Sequence, residues 1–110
     1  MLKKLKINGQ QVIVITDGKN GAYAYDGKTF FQCPEFPATV VSTLGAGDAF
    51  SSTLCAALGR TNSDLGKSLM YASVNSGSVV ANFGANEGFL TFEEIESRLR
   101  ENPNFTYKII

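Results

Sequence analysis

Histidine is absent from this 110-residue sequence, and cysteine occurs only twice. Without histidine there is no Ser-His-Asp triad, no imidazole acid or base, and little means of building a catalytic zinc site. Cys33 and Cys55 lie too far apart in sequence to suggest a disulfide framework or a metal knuckle. They are expected to be two buried thiols in a reducing cytosol. Neither sign of charge is in excess, since ten Lys and Arg meet ten Asp and Glu for a net charge of zero. That balance argues against nucleic-acid or membrane partners, because dedicated binders of either usually show a basic excess. No apolar run approaches the ~20 residues of a membrane span. The opening M-L-K-K-L-K lacks the apolar core of a signal peptide. The expected setting is therefore soluble and cytoplasmic, and the glycosylation-like tripeptide Asn104-Phe105-Thr106 is read as chance.

The length fits one small domain or part of a larger one. Met1–Lys6 reads as the tail of a helix. Gln11–Thr16 is almost continuously apolar and β-branched, as expected of a strand buried on both faces in a parallel sheet. Asp17–Gly21 is a turn with two glycines. Ala22–Tyr25 and Thr29–Cys33 read as a hairpin around Asp26-Gly27-Lys28, which Pro34 and Pro37 close off. Ala49–Leu58 reads as a largely buried helix, with Phe50, Leu54 and Ala57 on one stripe, small Ala49, Cys55 and Ala56 elsewhere, and Gly59 at C′. Ser63 is the expected cap of a longer helix running to about Asn82, in which Ser73 and Gly77 admit a close neighbour or ligand. Gly84 to Gly88 is a loop. Thr91 with Glu94 forms a capping box, and Leu90 with Ile95 a staple, for a last helix ending before Pro103. One buried strand of parallel type needs flanking strands, of which the sequence offers few candidates, so this reads as an incomplete α/β domain whose sheet lies partly elsewhere.

Three motifs fail. Gly27-Lys28-Thr29 ends like a P-loop, but Ala22 stands where the first Gly belongs and a strand follows. Gly45-x-Gly47 meets Phe50 at the third glycine of a dinucleotide fingerprint. Asp17-x-Lys19-x-Gly21 sets a cation where calcium needs oxygen.

The stretch Ser42–Leu58 survives. Gly45, Ala46 and Gly47 precede an apolar helix, and the unpaired N–H groups at such a start, with the positive end of the dipole, suit phosphate or another anion. A carboxylate there repels a bound anion. Asp48 therefore either complements the dipole alone or acts as a base on a group attacking the anion.

The wider context bears on that choice. T-L-G-A-G-D-A-F resembles the C-terminal signature of the ribokinase-like, phosphofructokinase-B type carbohydrate kinases, usually D-T-x-G-A-G-D-x-F. Upstream, V-I-V-I-T-D-G-K-N-G is similar to that family's strand and T-x-G-x-x-G nucleotide turn. Downstream, Y-A-S-V-N-S-G-S-V-V-A-N-F-G-A is similar to its small-residue helix and Gly-Ala loop beside the adenine. The resemblance implies the C-terminal part of a mainly parallel, three-layer ribokinase-like domain. It implies Asp48 as catalytic base and Gly45, Ala46 and Gly47 as an anion hole, with the amides of Ala46, Gly47 and Asp48 facing the transferred phosphoryl group. Thr16, Gly18 and Gly21 would line the nucleotide phosphates, with Ser73 where the family often has a nucleotide-contacting Asn and Asn75 as the nearest amide.

Two departures stand out. The leading Asp of the signature is Ser42, a poorer ligand for the monovalent cation that Val79, Asn82 and Gly84 would otherwise help to hold. Family members are also far longer, and their N-terminal half carries the acceptor site, the lid and most magnesium ligands. The expectation is the C-terminal, nucleotide-side portion, residues 1–110, of an ATP- and magnesium-dependent sugar or nucleoside kinase, inactive alone. The alternative is a non-catalytic nucleotide-binding half-domain that self-assembles through an exposed sheet edge.

Overall fold

The computed structural model describes residues 2–7, 10–16, 21–36, 46–62, 64–80 and 90–110. Strands β1 (Leu2–Ile7), β2 (Gln10–Thr16), β3 (Ala22–Tyr25), β4 (Phe30–Cys33) and β5 (Lys108–Ile109) form one sheet in sequence order. Helices α1 (Ala46–Arg60), α2 (Leu65–Val80) and α3 (Phe92–Glu101) complete the domain.

Every pairing among the described strands is antiparallel, so the parallel neighbours expected for β2 are not found here. The apolar run has another cause. Val12 and Val14 are buried at 4% exposure, while Ile15, on the opposite face, is 39% exposed. The first residues are a strand as well, not the tail of a helix: Leu2–Ile7 pair with Gln10–Ile15. An isolated helical turn or two is marginal in water, whereas pairing along β2 satisfies a row of backbone groups that would otherwise be a bare edge. Strand β5 carried no sequence signal. It is held by two residue pairs to β4 and by the Ile110 amide donating to Phe30 O.

The β3–β4 hairpin forms as its residues dictate. Asp26 Oδ1 accepts from the amides of Lys28 (2.9 Å) and Thr29 (2.8 Å), and Gly27 takes the left-handed φ of 98°. These amides, Thr29 foremost, hold the Asp26 carboxyl below its usual range. Gly21 also has positive φ, 84°, and a methyl there would run into the carbonyl of Cys33.

Helix α1 runs two residues past the expected end, through Gly59, and the left-handed residue that follows it is Asn62 (φ 55°). Cys55 and Ala56 are exposed, so α1 buries one side only, and of the two thiols only Cys33 is buried. Helix α2 is covered almost all round. Its first turn is capped by Asp64, whose Oδ1 accepts from the Lys67 amide at 3.0 Å; Ser63 lies outside the described residues. Small residues let α2 approach its neighbours closely. Phe36 lies 3.6 Å from where a Gly77 Cβ would stand, and the Tyr107 ring fills the space above Gly66. The neighbour foreseen for Ser73 and Gly77 is thus the chain itself. The Thr91–Glu94 capping box is complete, and Leu90 packs with Ile95 in one buried cluster.

A polar cluster ties the end of α1 to α2 and α3. Arg60 donates from Nε and Nη2 to Glu96, each at 3.1 Å, and stands 5.0 Å above the Phe92 ring. Tyr71 donates its hydroxyl to Glu96 at 2.6 Å. The Arg60 hydrogen bonds, then that of Tyr71, pull the Glu96 carboxyl down to about 2, while burial first and Glu96 second push Tyr71 up to about 12.

Two outcomes follow from these contacts. Because Glu96 is more acidic folded than unfolded, its contribution is complete above the ordinary carboxyl value of 4.5 and is lost as pH falls from there towards about 2. Denaturant midpoints measured across that window should fall less steeply for Glu96→Gln than for the parent. At the glycines the signs should oppose. Gly21→Ala should cost at least ~1–3 kcal/mol for the left-handed backbone alone. Gly59→Ala, in open space on α1, should stabilise by roughly 0.5–1 kcal/mol, as thermal melts would report.

Candidate functional site

Three of the residues singled out in the sequence meet at one end of the sheet. Thr16 is the last residue of β2 and pairs with Ala22, which pairs in turn with Cys33. Gly21 adjoins Ala22 and lies against the Cys33 carbonyl. Ser73, on α2, donates its hydroxyl to Cys33 Sγ at 3.5 Å. Burial raises the Cys33 thiol to about 11, so it stays protonated at neutral pH.

The run of the two long helices relates the first turn of α1 to Ser73. Asn75 Nδ2 donates to Thr53 Oγ1 at 2.7 Å, and the hydroxyls of Thr61 and Ser68 lie 2.9 Å apart. As the α1 partner number rises, the α2 number falls, so the helices run antiparallel and α1 begins beside the end of α2. From Ser73 to that end is seven residues, roughly 10 Å at 1.5 Å per residue. Ala46, Gly47 and Asp48 are the first three residues of α1. Their amides have no acceptor within the helix and point out of its positive end. Gly47 is half-buried, and its carbonyl accepts from Ser51 Oγ at 3.1 Å. The backbone of this turn thus has what an anion requires: donors in a row and no competing intrahelical acceptors.

Asn75 has a different place. Besides its bond to Thr53, its Oδ1 accepts from the Leu90 amide at 2.9 Å, so the amide group ties α1 and α2 to the lead-in of α3. It faces away from Ser73, across the helix, and lines a cleft of about 250 Å³ with Thr53, Ala56, Leu90 and Ile95. The sequence singled out Asn75 only as the amide nearest Ser73 and gave no sign of its partner; Thr53, one small hydroxyl among several, was not singled out. Val79 lies in the last turn of α2. Gly18, Ser42, Gly45, Asn82 and Gly84 lie outside the described residues. Among the described residues no three His, Cys, Asp or Glu side chains gather closely enough to hold a metal ion, and no helix is long and apolar enough to cross a membrane.

Comparison with known proteins adds to this geometry. Residues 1–91 match the pfkB family carbohydrate kinase model. A ribokinase from Lactococcus lactis is 34% identical over 90 residues, which cover 81% of this chain and 29% of that protein. The structure of a putative ribokinase II from E. coli in complex with ATP and Mg2+ superposes with a TM-score of 0.75 at 27% identity, over 82% of this chain and 29% of the other. A nucleoside kinase from Burkholderia thailandensis, in complex with inosine, gives a TM-score of 0.73 at 26% identity, over 84% of this chain and 31% of the other. The chain thus spans less than a third of the length of these relatives. The fold is ribokinase-like, its strands here being the antiparallel ones described above, and the chain belongs to the pfkB family of carbohydrate kinases.

Proposed function

We propose that this chain is the nucleotide-side portion of an ATP-dependent kinase acting on a hydroxyl of a sugar or nucleoside. The observation that carries the reading is that Ala46–Asp48 form the first turn of α1, a helix that runs antiparallel to the one bearing Ser73. Phosphoryl transfer asks little covalent chemistry of a protein; it needs the reacting groups aligned and the charge on the transferred oxygens offset. In this reading the amides of Gly45, Ala46 and Gly47, with that of Asp48, hold those oxygens. The Asp48 carboxylate accepts the proton of the attacking acceptor hydroxyl, a step whose driving force grows as the oxygen bonds to phosphorus. Thr16, Gly18 and Gly21 carry the remaining phosphates, and Ser73 lies on the nucleotide side.

ATP supplies the γ-phosphoryl group, and magnesium bound with it offsets phosphate charge. The helix start suits the anion. The magnesium ligands are assigned to the acceptor-side half that the longer relatives carry, as is the acceptor site itself. The setting is taken to be cytoplasmic, where ATP is available. The second reading is a half-domain that binds nucleotide without turning it over.

Two measurements test the assignment. The purified 110-residue chain should show no ribose- or nucleoside-dependent ATP consumption, and measurable acceptor-dependent turnover would refute the division of labour. In a longer protein that contains this chain, Asp48→Asn should lower turnover by ~10²–10⁴-fold and leave nucleotide affinity within a few-fold. A near-normal rate would remove Asp48 from the base role and leave the non-catalytic reading in its place.

A further inference from the structure

Asn75 is 3% exposed and Thr53 8% exposed, so both polar groups lie where an unbonded one would be costly. Neither is left unbonded. Asn75 Nδ2 donates to Thr53 Oγ1 at 2.7 Å, and Asn75 Oδ1 accepts from the Leu90 amide at 2.9 Å. One side chain of α2 thereby holds α1 on one side and the chain entering α3 on the other. Exchanging hydrogen bonds to water for internal ones yields little net stability, and an apolar pair would fill the same interface. What the bonded pair adds is a single arrangement, because its length and angle exclude the neighbouring ones.

That addition falls where α1 needs it. Ala49, Phe50, Leu54 and Ala57 bury the inner side of α1, and apolar burial is non-directional. It presses the helix inward without fixing its slide along α2. Hydrogen bonds across the interface do fix it, among them Thr53 with Asn75 and Thr61 with Ser68. These two lie roughly 10–12 Å apart along the helices, at 1.5 Å per residue. Thr61 and Ser68 sit beside the short link between α1 and α2, where the chain itself already limits movement. Thr53 acts nearer the other end, roughly 8 Å along the axis from Asp48. We infer that Asn75 is a positioning residue for the first turn of α1: through Thr53 it sets where the amides of Ala46, Gly47 and Asp48 stand. This role rests on the reading of that turn as the phosphate holder, and Asn75 touches no substrate in it. Several amides must meet one anion together, and a misplacement of ~1 Å is enough to weaken such a site.

The test uses the 110-residue chain, with amide spectra and ATP affinity as the two readouts. Asn75→Ala alters no atom of α1, yet the amide signals of residues 46–48 should move and ATP affinity should fall about five-fold. Thr53→Val keeps the side-chain shape and leaves the Leu90 bond in place. It should do the same, so the test stands even if Asn75→Ala folds poorly. Thr53→Ser retains the hydroxyl and should return the signals to their parent positions, with affinity within about two-fold of the parent. Leu99→Ala, a truncation in the cluster under α3, should lower the melting temperature and leave both readouts where they were. Unmoved signals at 46–48 in the Thr53→Val chain would overturn the positioning role. So would Thr53→Ser behaving like Thr53→Val, or Leu99→Ala reproducing the shifts. The expected shifts in chains that bind no ATP, parent included, would support the positioning role and count against the nucleotide reading alone.

Discussion

The close approach of α2 to everything around it is the constraint on which the rest of the domain depends. Ser68, Leu69, Ala72 and Val74 are wholly buried, and the glycines at 66 and 77 admit Tyr107 and Phe36 where larger residues would hold them off. A helix enclosed in this way transmits position. Its contact with Cys33 fixes it against the sheet, its bond from Asn75 fixes α1, and Tyr71 with Glu96 fixes α3. A methyl group added on the wrong side of α2 would be felt in three elements together, because close-packed interiors have no slack to absorb it.

How much of this was legible beforehand depended on whether a residue's conformation is set locally. Asp26-Gly27 specifies a turn by its own hydrogen bonds and backbone freedom, and Thr91 with Glu94 specifies a helix start, so both were readable and both are found. Small residues announce no direction. Cys55 and Ala56 could face in or out of α1, and the structure turns them out. Gly59 looked like a helix end because glycine often is one, yet the chain used Asn62, three residues on. Met1–Lys6 has Leu2 and Leu5 at a helical interval, and the open side of β2 outweighed that weak local preference. Two-residue β5 has no periodicity to detect at all.

The site divides the same way. A helix start near Gly45 could be read from the glycines, since an anion-binding turn is a property of backbone geometry that composition betrays, although the helix begins at Ala46 and not at the expected Ala49. The gathering of Thr16, Gly21 and Ser73 could not be derived from spacing, because it depends on strand register and on a helix packed across it; only the likeness to kinase motifs linked them. Asn75 marks the limit. A buried amide demands partners, but which hydroxyl and which amide answer is decided by how two helices and a loop lie together.

One consequence concerns where this unit ends. The match to the carbohydrate kinase family stops at residue 91, within the turn that opens α3. Beyond that point come the Phe105 ring against Phe36 at 4.9 Å, the Tyr107 ring over Gly66, and the strand that closes the β4 edge. The final segment therefore works as a strap, crossing from α3 past the start of α2 to the sheet. The family-model match and the packing end at different places in this chain, and a fragment cut at the first would come unbuckled at the second.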